Sequence, residues 1–265
     1  MLKFVMNPFD QNQGVESVAL VFDRYDHKLS VKAAERYRRG EMQQAGYAIQ
    51  GNHQVPNHRQ FLKVSGNKAA LAVFVSDHTV NSAPSMLSGN QSIILARGFL
   101  EGPITKLVTS TGAATIPGLF SSQEEADTKM LLHAIDLSST HERLVIRSDD
   151  TDVLVLLVYY CSKNMLTKYV YMLAGHNTPA VNRKRYIPVH SIVAEHCVKL
   201  CESLPAAHAL TGCDSTSSLY QVGKHVDYTE LLEHVNNGNF SLTTFGIQND
   251  VDAYYVSSDI LFILP

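Results

Sequence analysis

RLVIRSDDTDVLVLLVYY, residues 143–160, is the stretch whose reading decides the fold. Leu144, Val145 and Ile146 form a short aliphatic and β-branched run that suits a buried strand, and the run stops at Asp149, Asp150 and Asp152. If the chain stays extended through Asp152, its two-residue period turns the Asp150 and Asp152 side chains to the same side. Two ionised carboxylates held that close repel each other unless one takes a proton or a cation lies between them. A plainer reading is an acidic turn, with Asp149 or Asp150 capping an apolar helix that begins near Asp152 and runs through Tyr160.

Outward from this stretch, strand-like and helix-like segments alternate. Ser17–Phe22 (SVALVF) reads as a strand ending at Asp23, and Ser92–Ala96 (SIILA) as another. Gly66–His78 has helical spacing through Leu71, Phe74 and Val75, while residues 76–90 and 112–122 read as a loop and a linker. Ser122 followed by Glu125 has the form of a capping box, opening a helix whose apolar face is Met130, Leu131, Ala134, Ile135 and Leu137. Glu124, Glu125 and Asp127 fall in its first turn, where carboxylates complement the helix dipole without any metal. Beyond residue 160, Ser162–Asn164 reads as a polar turn, Lys168–Leu173 as a strand and residues 177–185 as a basic loop. Ser191–Glu202 reads as a helix, and Pro205 restarts a helical pattern that Gly212 stops, just before Asp214. A further helix is expected over residues 228–235. The start of the chain, residues 1–16, shows no clear periodicity. Strands alternating with helices imply an α/β fold with a parallel sheet and helices on both faces, a single domain over residues 1–265. Ligands in such sheets bind beyond the carboxyl ends of the strands.

Composition sets bounds. The 265 residues are 45% hydrophobic with a net charge of −3, so any nucleic-acid contact must come from local clusters of cations. The densest lies in residues 28–50, where Lys32 and Arg36 are one helical turn apart with Arg38 and Arg39 beyond. Cys161, Cys197, Cys201 and Cys213 match no zinc spacing and read as reduced thiols of an intracellular protein. No apolar run approaches the ~18 residues of a membrane span, and no phosphate-cradling glycine loop occurs. His190, His208 and Cys213 form no motif for nucleophilic catalysis.

The acids come in a recognisable order: V-F-D at Val21–Asp23, E-A-D at Glu125–Asp127, S-D-D-T-D at Ser148–Asp152 and L-T-G-C-D at Leu210–Asp214. This series resembles the PIN-like flap endonuclease family of structure-specific 5′ nucleases over residues 17–232. It is also similar to a transposon-associated group of animal proteins that carry H-E-E-A-D-T and L-T-G-C-D-S-T. The resemblance implies a nuclear, metal-dependent nuclease acting on nucleic acid, DNA in the first place. It carries over residue by residue to Asp23, Glu125, Asp127, Asp150, Asp152 and Asp214 as catalytic metal ligands, with Asp149 and Glu124 behind them. Glu124 and Asp127 are better helical neighbours than Glu125 and Asp127, so the first turn must be irregular for that assignment to hold. Hard Mg2+ or Mn2+ suits such oxygen ligands, and two ions ~4 Å apart can serve in-line phosphodiester hydrolysis. The family's helical arch corresponds to residues 28–50, which casts Lys32, Arg36, Arg38 and Arg39 as phosphate contacts, together with Lys224 from a helical element at 205–236.

Two departures from the family stand out. Only 22 residues precede Asp23, too few for the family's first strand and its Asp, so that strand is expected to be missing. After Asp214 the family's glycine-rich, duplex-gripping turn is reduced to Gly223 and Lys224. The alternative is a nucleic-acid-binding or protein-interaction module derived from such a nuclease, its metal site impaired.

Overall fold

The computed structural model describes residues 2–11, 14–23, 49–51, 57–121, 126–163, 165–175, 183–213 and 233. The fold is α/β, in two compact units, residues 1–133 and 134–265. Among the described residues, each unit contains one mixed sheet. The single parallel sheet expected from sequence is therefore corrected to two mixed ones.

In the first unit β1 (Ser17–Val21) pairs parallel with β2 (Ser92–Ala96), Val18 opposite Ile93 and Leu20 opposite Leu95. Antiparallel β3 (Thr105–Thr109) and β4 (Gly112–Thr115) extend the sheet in the order β1-β2-β3-β4. Ile93, Ile94, Leu95 and Ala96 are all buried, as an uninterrupted apolar run in an internal strand should be. The β3–β4 hairpin lies partly in the expected linker. Its signal was weak because Gly112, Ala113, Ala114 and Thr115 leave little side chain to bury, and Ala113–Thr115 are exposed.

Among the described residues, three α-helices precede the hairpin. α1 (Leu2–Gln11) escaped the sequence reading, since Pro8 sits inside it, yet Val5, Met6 and Phe9 drive one face into the core. α2 (His58–Phe61) is a single turn capped by the Asn57 side chain. α3 (Ser65–Ser82) runs into the first half of the expected loop, before a 3-10 turn at Ala83–Ser85 and residues 86–90, which are non-helical as expected. Its buried polar residues find acceptors: Thr79 Oγ1 donates to Val75 O at 2.7 Å and Asn67 Nδ2 to Phe61 O at 3.0 Å. A Ser-rich stretch can thus remain helical and buried. Ile93, Leu95, Phe99, Val108, Ala83 and Leu87 complete the core around α1.

The chain then enters α4 (Ala126–Ser138), and the second unit is built on β5 (Arg143–Arg147), α5 (Thr151–Lys163) and β6 (Tyr169–Ala174). Ser162 and Lys163, expected in a turn, are still helical, and Asn164 lies outside the described residues. β6 pairs parallel with β5 and antiparallel with β7 (Arg185–Pro188). The expectation of a buried β5 is half right. Leu144 and Ile146 are buried, whereas Arg143, Val145 and Arg147 point to an exposed face. α5 packs against α6 (Val189–Glu195) and α7 (Val198–Leu210), its fully buried Val153 and Leu157 lying one turn apart. Pro205 lies inside α7 and does not start a helix; the break falls earlier, where His196 and Cys197 are extended. Gly212, at φ 92°, lies just past the helix end in a conformation that favours glycine. The expected helix at 228–235 lies outside the described residues except for Glu233, which is helical.

The cysteines are free, Cys201 buried and Cys197 exposed. Burial raises the Cys161 and Cys201 thiols above their ordinary range, with the nearby Cys201 sulfur adding to the effect at Cys161. A thiol raised by folding retains a proton that the unfolded chain releases, so stability is level at lower pH and falls as pH climbs through the thiol range near 9.0. The urea midpoint should therefore drop between pH 8 and pH 10, and drop less in Cys201→Ala. An equal fall in both proteins would contradict this assignment.

Candidate functional site

The ends of the two parallel strand pairs hold the described acids, each within its own unit. In the first unit, Phe22 N donates to Ala96 O, and β1 then ends at Asp23. Asp23 Oδ1 accepts the Ala126 N–H at 2.6 Å, so a residue 103 positions away serves as an acceptor at the N-terminus of α4. Asp127 lies half-buried in that first turn. Lys129, on the same helix, is only 2% exposed and donates through Nζ to Phe22 O at 3.0 Å, next to Asp23. Sequence reading missed Lys129, for nothing in KMLLHAI marks a lysine as buried. Alanine there removes the packed stem and leaves a carbonyl without that donor, at an expected cost of about 2 kcal/mol. Lys129→Met, which keeps the stem, should cost about half as much by urea denaturation, and equal losses would show that packing contributes nothing.

β2 turns sharply at the same sheet end. Arg97 and Gly98 have φ values of 67° and 77°. Arg97 N donates to Ile104 O, its Nη2 donates to Ser121 O at 3.2 Å, and its carbonyl accepts from buried Ser76 Oγ at 3.4 Å.

In the second unit the acids form a tightly bonded corner. Ser148 N continues the ladder to Leu173 O, and the chain then leaves the sheet. Asp150 N donates to Ser148 Oγ at 3.1 Å, a local turn that ends the extended run. Asp150 Oδ1 accepts the Asp152 N–H at 3.0 Å, which makes Asp150 the N-cap of α5. Asp149 Oδ1 takes the Gly175 N–H at the end of β6. Asp152 Oδ1 lies 2.7 Å from His208 Nε2 on α7, both side chains largely buried. The condition for the Asp150 and Asp152 side chains to share one side, an extended chain through Asp152, is not met: helix starts at Thr151, and each carboxylate faces a different partner. The capping alternative is the one observed.

His208 had no motif to mark it, since its partner is 56 positions away in sequence. His190 is occupied structurally, with Nδ1 2.9 Å from Val170 O and its ring edge-on to Tyr169 and Tyr171. Among the described residues no three His, Cys, Asp or Glu side chains gather closely enough to hold a metal ion. Glu124, Glu125, Asp214, Lys32, Arg36, Arg38, Arg39 and Lys224 lie outside the described residues. No helix among the described residues is long and apolar enough to cross a membrane.

Taken together, the fold and these corners define an α/β protein with carboxylates at the ends of parallel strands. Comparison with protein-family models, curated proteins and solved structures finds no match for the chain.

Proposed function

We propose that this chain is a PIN-like, nuclease-like protein that hydrolyses phosphodiester bonds of DNA or RNA with two Mg2+ or Mn2+ ions, in the nuclear setting the resemblance implies. The observation that carries the reading is the second-unit corner, where Asp149, Asp150 and Asp152 follow a strand of a parallel pair. The donors are all oxygen, which suits a hard divalent ion, and the hydrogen bonds described above for Asp149, Asp150 and Asp152 use one carboxylate oxygen each. The residues present therefore fit the chemistry of the ions. Asp150 and Asp152 would hold metal in the second-unit corner; Asp23, Glu125, Asp127 and Asp214 are the further ligands that the resemblance assigns. Bound there, the ions would supply Lewis-acid activation of water and charge stabilisation at the leaving oxygen. The chain's own part is orientation: His208 fixes the Asp152 carboxylate, and the N-cap bond fixes that of Asp150.

A second reading has its own observation. Asp23, Asp149, Asp150 and Asp152 each satisfy a backbone N–H or a histidine, which they would also do in a binding module that needs no metal. Calorimetric titration with Mn2+ separates the two. A nuclease should bind Mn2+ and lose most of the binding in Asp150→Asn, whereas heats indistinguishable from buffer, in folded protein, would favour the module.

A further inference from the structure

The exposed face of the second sheet has a composition that the acids do not explain. The register places Arg143 opposite Tyr169, Val145 opposite Tyr171 and Arg147 opposite Leu173, while across β7 Tyr186 lies opposite Leu173 and Pro188 opposite Tyr171. Side chains at these positions share one face of the pleat. The face is open: Val145 is 49% and Tyr186 60% exposed, and Arg143 and Arg147 are exposed beside them.

Its rings are held in place. Tyr171 is edge-on to both Tyr186 and His190, with centroids 6.4 and 5.0 Å apart. Arg143 lies over the Tyr169 ring at 5.7 Å, and Lys168 Nζ lies 4.8 Å from the same ring. The rim is cationic. Across residues 142–147, 168–173 and 183–188 there are six cations, Arg143, Arg147, Lys168, Arg183, Lys184 and Arg185, against one acid, Glu142. In a chain whose net charge is −3, this is a strong local reversal of sign.

Open tyrosine rings among arginines on a flat sheet match the chemistry of unstacked bases joined by phosphates. Arg143 and Arg147 are about 13 Å apart along the strand, far enough to meet different phosphates of one extended chain. A duplex keeps its bases stacked inside and offers a ring such as Tyr186 nothing to stack on. An acidic peptide would use the cations but not the rings.

We propose that the β5–β6–β7 face binds single-stranded nucleic acid, with Tyr186 stacking a base and Arg143 and Arg147 contacting phosphates. This binding is independent of hydrolysis, because neither the acids nor a metal takes part in it. The test is therefore made in EDTA, by fluorescence anisotropy of end-labelled oligo-dT and oligo-U with the full chain. Tyr186→Ala should weaken binding about tenfold while the protein still melts cooperatively, with only the small loss of stability that the Tyr171 ring pair contributes. Arg143→Gln with Arg147→Gln should also weaken it and reduce the slope of log affinity against log salt by about 1.4. Unlabelled duplex or polyglutamate should compete poorly. The proposal is overturned if folded chain fails to bind the oligonucleotides, if both variants bind like the parent, or if either competitor displaces them as well as single strand does. Asp150→Asn, which bears on the hydrolytic reading alone, should bind here as the parent does.

Discussion

Asp150→Asn is expected to lower metal-dependent cleavage by at least about 100-fold while leaving the fold intact. The two effects separate because of how this carboxylate is used. Its Oδ1 accepts the Asp152 N–H and caps α5, and an asparagine oxygen can accept the same bond, since Asn caps helices about as well as Asp. What the amide cannot supply is negative charge for a divalent ion. The remaining cost to stability is the lost attraction to the helix dipole, about 0.5 kcal/mol. Asp150→Ala removes both functions and should cost about 1 kcal/mol as well as the activity. Cleavage rates read alongside urea midpoints check both statements. An asparagine variant with parental cleavage would remove Asp150 from the metal site and leave it a helix cap.

Gly98→Ala should produce a large loss of stability, roughly 4 kcal/mol. Gly98 has a φ of 77°, where a side chain costs about 1–2 kcal/mol on backbone grounds alone. A Cβ there would also overlap Ser76 Oγ and lie 2.8 Å from the Ala72 carbonyl oxygen. The serine can rotate away, but the carbonyl belongs to α3, so either the helix or the β2 turn must shift. Ser76 is hydrogen-bonded to Arg97 O, and a shift would break that bond too. The denaturation midpoint should fall sharply. By contrast Gly102→Ala, at a φ of 114° but with open space around its Cβ, should cost only the backbone strain. Similar losses in the two variants would show that the close approach of α3 to Gly98 is unimportant.

The parts of the fold legible in sequence were those with local signals. SVALVF, SIILA and KYVYML announced β1, β2 and β6, and the apolar face after Ser122 announced α4. β5 was legible as a strand but not in its exposure, because Val145 is chemically like its buried neighbours Leu144 and Ile146. Only pairing with Tyr171 shows which face it takes. The β3–β4 hairpin and α1 were lost to small residues and to Pro8. The continuity of α7 was lost because Pro205 looks like a start, although the neighbouring turns tolerate it as an interior residue.

At the site, the acids themselves were legible and their hydrogen bonds were not. That Asp23 would accept the Ala126 N–H, Asp149 the Gly175 N–H and Asp152 the His208 ring depends on contacts spanning 103, 26 and 56 positions. No local pattern encodes such distances. Lys129 was hidden for the same reason: its apolar surroundings and its bond to Phe22 O arise only when α4 meets the end of β1.

The most direct measurement of the central claim is cleavage of end-labelled single-stranded, flap and duplex DNA by the full chain, with Mn2+ or Mg2+ and again with EDTA. Cleavage that requires the metal is the result predicted. Intact substrates in every metal condition, from protein that melts cooperatively, would contradict it.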